Sequence, residues 1–124
     1  MSRLIAPLCS RLGIEIPEQS GNEWTFEIEG RSVSVVSIKE EQRCYIYSGA
    51  KIGVLDIAGY IRLGRYSFSW AVGSELNIGL HPTTDGLALV GCGLVDSGHL
   101  ARDVEALHFA MRRVSMAAAT LERT

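Results

Sequence analysis

Towards the end of the chain, apolar residues return at alternating steps of four and three: Leu100, Val104, Leu107, Met111, Val114, Ala118 and Leu121. That spacing lays one stripe down a single helix over 97–121, about six or seven turns long. Arg102, Asp103, Glu105, Arg112 and Arg113 fall on the other side and face water. Asp96 or Ser97 is the expected cap, with a side-chain oxygen in reach of the free N–H groups of the first turn. A stripe of this length has to be buried. Only two shorter helical patterns exist elsewhere to receive it, so strands must cover most of it.

Period-two alternation supplies those strands. Trp24, Phe26 and Ile28 alternate with Thr25, Glu27 and Glu29, and after a tight turn at Glu29-Gly30-Arg31 the chain returns over 33–38. Val33 and Val35 keep the alternation while Val36 and Ile38 break its phase, which calls for a bulge or for burial on both faces. A polar connection over 39–42 leads to a third strand over 43–48, where Cys44 and Ile46 oppose Tyr45 and Tyr47. Leu76, Ile78 and Leu80 start a last hairpin, whose loop ends in Asp85-Gly86 and whose second arm is 87–94.

Two further helical patterns flank these strands. Leu4, Ile5, Leu8 and Leu12 share a face over 2–12, with Gly13 as the stop and Pro7 as either a kink or the true start. Residues 14–22 are a loop. Val54, Ile57, Ala58 and Ile61 share a face of a helix over 52–63, which Leu55 and Leu63 widen and in which Asp56 and Arg62 are the only charges. Such a helix belongs in a core or at a subunit interface, where charge is depleted. Residues 65–73, with Tyr66, Phe68 and Trp70 close to that helix, are assigned to no element. The expected fold is α+β: an antiparallel sheet of about five strands in the order α-β-β-β-α-β-β-α, one domain over 1–124, with the long C-terminal helix packed on the sheet.

Composition narrows the functional classes. The net charge of −2 with both signs scattered argues against a nucleic-acid or anionic-membrane surface, which needs clustered Lys and Arg. Three cysteines without C-x-x-C spacing argue against a disulfide framework and suit a reducing cytoplasm. No run of eighteen apolar residues exists to insert in a membrane, and the apolar N-terminal stretch, broken by Pro7 and Arg11, is unlike a signal peptide. The chain is therefore expected to stay in the cytoplasm.

Chemistry-bearing patterns are sparse. His81, His99 and His108 are far apart and none sits in an H-x-x-x-H pair. Gly91-Cys92-Gly93, between a strand and a helix, is similar to a phosphate-binding turn but has no third glycine until Gly98 and no Lys-Ser or Lys-Thr after it. Close packing of helix on strand is the expected use of those glycines. No catalytic, metal-binding or cofactor-binding residue is assigned, and no enzyme activity is expected.

The order of elements and several local patterns resemble the class I type III secretion chaperones, small acidic proteins of the bacterial cytoplasm. The pattern Leu4-Ile5-x-x-Leu8-x-x-x-Leu12-Gly13 matches their opening helix, and Gly30 stands at their first hairpin turn. Residues 57–64 stand at their second helix, Asp85-Gly86-x-x-Leu89 precedes their fifth strand, and Leu100, Leu107 and Phe109 fit their final helix. Where the family carries Leu-Leu-x-x-Asn, this chain has Ile61-Arg62-Leu63-Gly64-Arg65; Met116 or Ala117 stands near the family's late-helix Trp.

The resemblance implies a homodimer that binds the non-globular N-terminal segment of a secreted effector, keeps it fit for export and hydrolyses nothing. It also implies that Leu4, Ile5, Leu8, Leu89 and Gly91 contact the effector and that Val54, Ile57, Ala58, Ile61 and Trp70 form the dimer interface. Ordinary core packing is the alternative for Leu4, Ile5, Leu8, Leu89 and Gly91. A roadblock- or profilin-like dimeric scaffold is the other reading at the level of function, and a small ligand-binding domain or enzyme the third.

Overall fold

The structure, a computed structural model, describes residues 2–38, 42–73 and 75–123. A 3-10 turn (Ser2–Leu4) runs into α1 (Ile5–Leu12), followed by β1 (Gln19–Ser20), β2 (Glu23–Ile28), β3 (Arg31–Ile38) and β4 (Arg43–Lys51). Then come α2 (Ile57–Gly73), the hairpin strands β5 (Asn77–Leu80) and β6 (Leu87–Val95), and α3 (Leu100–Glu122). The strands form one antiparallel sheet in the order β1-β2-β3-β4-β6-β5. The extra strand over the expected five is β1, two polar residues long, which carries no alternation to read. Of the polar connection expected over 39–42, only Gln42 lies within the described residues.

Alternation sorts the two faces. Trp24, Val35, Ile46 and Cys92 form one row across four strands, and Phe26, Val33, Ser48 and Val90 the next. All eight are buried beneath α1 and α3. The stripe of α3 is buried from Val104 to Leu121, with only Leu100 left out in the first turn. Leu4, Leu8, Leu107, Met111 and Val114 fill the space between helices and sheet. A second cluster, Ala50, Ala88, Val90, Ala118 and Leu121, lies under the end of α3, where Leu63, Tyr66 and Trp70 of α2 pack against it.

Local chemistry decides the points that the pattern left open. The register of β3 is unbroken through Val36 and Ile38, so their phase reflects half-burial on the second face and not a bulge. The helix α1 begins at Ile5, so Pro7 falls in its first turn, where a missing N–H forgoes no helical bond. Gly13 ends α1 in the left-handed region (φ 70°), and the Ile14 N–H returns to the Cys9 carbonyl at 3.0 Å.

The start of α3 differs from expectation: it lies at Leu100 and not at Ser97. Asp96 Oδ1 accepts from the Gly98 N–H at 2.8 Å and Ser97 Oγ from the His99 N–H at 3.4 Å. Both side chains thus serve the turn ahead of the helix.

Candidate functional site

The N-terminal helix is fastened by polar contacts as well as apolar ones. Leu4, Ile5 and Leu8 are 0, 4 and 0% exposed. In this conformation they are core side chains and present no surface to a partner. Around them, Arg3 donates from Nη2 to Asp96 Oδ1 at 2.5 Å and to Asp103 Oδ2 at 2.9 Å. Asp103 is buried in the first turn of α3 and also accepts from Ser97, N–H at 3.3 Å and Oγ–H at 2.5 Å. The Arg3 guanidinium, helped by the Gly98 N–H, holds the Asp96 carboxyl well below the usual carboxylate range. A second clasp joins Arg11 to Glu105 at 2.6 Å.

Beside α1 the sheet has an open edge. The short β1 pairs only Glu23 and Trp24, so among the described residues Thr25 to Ile28 have no strand on that side. A cleft of about 260 Å³ adjoins it, lined by Leu12, Ile14, Glu27, Ile28, Glu29, His108 and Arg112. An edge strand beside a cleft in which Leu12, Ile14 and Ile28 stand among charged groups is a template for an extended chain.

Among the described residues no helix covers the second face of the sheet. Val36, Ile38, Tyr45, Tyr47, Leu87 and Leu89 are half-buried there and Val95 is exposed. Tyr47 donates to Glu23 across β3. A side chain at Gly91 would sit 2.7 Å from the Tyr45 ring and the Ile46 carbonyl oxygen, so that position admits only glycine. Gly91 therefore makes room for a tyrosine on the open face and not for a helix, which corrects the close-packing expectation. Leu89 is the one expected effector contact with surface to offer.

The second helix differs most from expectation. It starts at Ile57, after Asp56, whose Oδ1 accepts from the Gly59 N–H at 2.8 Å as an N-cap, and it absorbs 65–73. Val54 therefore precedes the helix. Gly59 is its only buried residue. Ile57 (80%), Phe68 (75%), Val72 (73%) and Ile61 (51%) are exposed, with Ala58 and Tyr60 beside them. Trp70 lies instead on the core-facing side, its ring 5.5 Å from that of Tyr66. Phe68 and Val72 escaped the sequence reading because the pattern was followed only to Leu63; extended past Gly64, the same stripe takes them in.

The three cysteines are buried and the His81 ring is engaged. Cys9, Cys44 and Cys92 are free and buried, and burial, with Cys92 close by, pushes the Cys44 thiol up to about 12. His81 Nδ1 accepts the N–H groups of Thr83 and Thr84 within the β5–β6 loop. Among the described residues no cluster of three or more His, Cys, Asp or Glu is placed to hold a metal ion, and no helix is long and apolar enough to cross a membrane.

No protein-family model matches the sequence, and no curated protein matches it. Solved structures do. A HopA1–SchA chaperone–effector complex matches over 99% of this chain and 93% of that chain (TM-score 0.81, 10% identity). An ExsC–ExsE complex matches over 98% and 90% (TM-score 0.76, 17% identity). The Yersinia pestis type III secretion chaperone SycH, in complex with a stable fragment of YscM2, matches over 97% and 98% (TM-score 0.68, 19% identity). The chain has the fold of the type III secretion chaperones. At these identities what is shared is the path of the backbone. The long helix on an antiparallel sheet belongs to that shared fold.

Proposed function

We propose that the protein is a type III secretion chaperone that binds, as a homodimer, the non-globular N-terminal segment of a secreted effector in the bacterial cytoplasm and keeps it fit for export. The observation that carries the reading is the match of nearly the whole chain to chaperone structures, two of them described as complexes with an effector or a protein fragment. The surface supports it. A disordered segment gains most from many shallow apolar contacts and free backbone edges, and this chain offers both.

In this reading the effector adds a strand along Thr25 to Ile28 and sets apolar side chains into the cleft of Leu12, Ile14 and Ile28. Leu89 contributes from the open face, with Gly91 seating Tyr45 beside it. Leu4, Ile5 and Leu8 act from behind by fixing α1, whose Leu12 lines the cleft. Val54, Ile57, Ala58 and Ile61 join two copies; Trp70 braces α2 from its core side. The chain acts by binding and performs no reaction on the effector.

The test is direct. The purified chain is mixed with the N-terminal fragment of a type III effector from the same cell, and the mass of the complex is measured by light scattering. Two copies of the chain per fragment, with a fragment that shows no regular structure alone, is the expected result. Affinity only for an independently folded domain would overturn the proposal.

A further inference from the structure

The long helix α3 has an outer ridge that the core does not use. Arg102, Phe109, Met116 and the C-cap residue Arg123 stand seven residues apart. They therefore follow one another at steps of about 10.5 Å and drift by only about 20° per step around the helix. Leu107 and Ala118, both 0% exposed, lie on the opposite side. Phe109 is 63% exposed and Met116 58%. The Arg113 guanidinium stands over the Phe109 ring, 5.5 Å from its centroid, and Arg112 beside the row reaches Glu29 at 3.5 Å. The acids of α3 are each held by an arginine of another element: Asp103 by Arg3, Glu105 by Arg11 and Glu122 by Arg31. The ridge is thus positive on a chain whose net charge is −2.

We infer that the outer ridge of α3 is a docking surface for an acidic amphipathic helix of a second protein. Apolar side chains scattered singly over a surface need no partner. Phe109 and Met116 are in register, with an arginine at each end of the row. Arg, Phe and Met are also residue types that concentrate at protein interfaces, where Lys, Glu and Asp are depleted. A flexible thioether and long guanidinium stems adapt to an apolar partner and still hold charge at the rim.

The sign of that charge selects the occupant. A second copy of this chain has no helix to offer: α1 and α2 contain arginine and no acid. Two copies of α3 would set arginine against arginine, because a two-fold contact brings Arg102 to Arg123 when the helices run antiparallel. The middle of the row is apolar, which suits side chains repeated every seven residues on a helix better than a phosphate backbone. The ridge faces away from the sheet, so its occupant leaves the β2 edge open. This inference goes beyond the effector reading and does not rest on it.

The probe is a helical peptide with leucines seven residues apart and glutamates at the flanking positions, its binding to the full chain followed by fluorescence anisotropy. It should bind about tenfold or more tightly than the same peptide with lysines for the glutamates, or with alanines for the leucines. Phe109→Ala with Met116→Ala, and separately Arg102→Glu with Arg123→Glu, should each weaken it by about tenfold or more. Circular dichroism should not change, since none of the four side chains belongs to the buried core, and both variants should bind the effector fragment as wild type does. In the cell, Phe109→benzoylphenylalanine should on irradiation give an adduct to an acidic segment of another protein.

Equal binding of the glutamate and lysine peptides, or binding that both variants keep, would overturn the proposal. So would duplex RNA or phosphatidylglycerol vesicles bound in place of the peptide, and so would the absence of an adduct or an adduct to the effector alone. Variants that lose the effector fragment together with the peptide would merge the ridge with the effector site and overturn it as a separate surface. A wild type that binds the peptide and no effector fragment leaves the ridge standing and removes the chaperone reading.

Discussion

Single side chains show how an apolar pattern leaves core and groove indistinguishable. Leu4, Ile5 and Leu8 read identically as a buried face and as a binding face, because hydrophobicity reports the wish to leave water and not the partner that satisfies it. The structure buries all three. Leu8→Ala should accordingly cost about 2–5 kcal/mol of folding stability, the range for a filled core leucine, as read by urea unfolding. A loss of effector binding with stability unchanged would return Leu8 to the groove.

Arg3 carries a different expectation, since the buried Asp103 carboxylate has this half-exposed guanidinium as its positive partner. Arg3→Ala should lower the melting temperature, and Asp103→Asn in that background should recover part of the loss by removing the unpaired charge.

The ion pairs also set the acid limit. The Arg31 guanidinium and the Lys51 N–H hold the Glu122 carboxyl at about 2, and Asp96 is depressed by Arg3. A carboxyl depressed in the folded state binds its proton less readily there than in the unfolded chain. Its contribution is therefore whole above the unfolded value near 4 and fades as pH falls towards 2. Urea midpoints should be level from pH 7 to about 5 and decline below 4; Glu122→Gln should flatten that decline.

At the scale of elements, legibility followed the strength of the period. The stripe of α3 and the alternation of β2, β4 and β6 carried their own boundaries to within a few residues, because one face of each is buried and the other wet. The helix α2 was legible in kind and misplaced in extent. Its two faces are both apolar, Gly64 interrupts it, and the aromatic residues of 65–73 have strand propensity as high as helix propensity. Asp56 was visible as a charge, yet its use as an N-cap required knowing where the helix starts. Of the candidate site, α2 was therefore found at its N-terminal half only, and the open edge of β2 was invisible because β1 has no pattern. If the stripe is an interface, Ile57→Glu with Ile61→Glu should give a folded monomer or an insoluble chain, since charge is forced against an apolar surface. Light scattering beside circular dichroism distinguishes the two.

At the scale of the molecule, a helix-backed sheet leaves large apolar side chains of α2 in water. A partner that stays extended buries area in many small contacts, so its affinity should be spread along the segment and its binding heat capacity large and negative. Cys9, Cys44 and Cys92 changed together to Ala should leave that affinity intact, at a packing cost of about 1 kcal/mol per site. The measurement that meets the central claim head-on is amide exchange of the effector fragment, free and in complex. The account predicts no protection in the free fragment and, in the complex, protection in separate short stretches over a few tens of residues with exchanging gaps between them. Uniform protection across a compact, independently folded domain would contradict it.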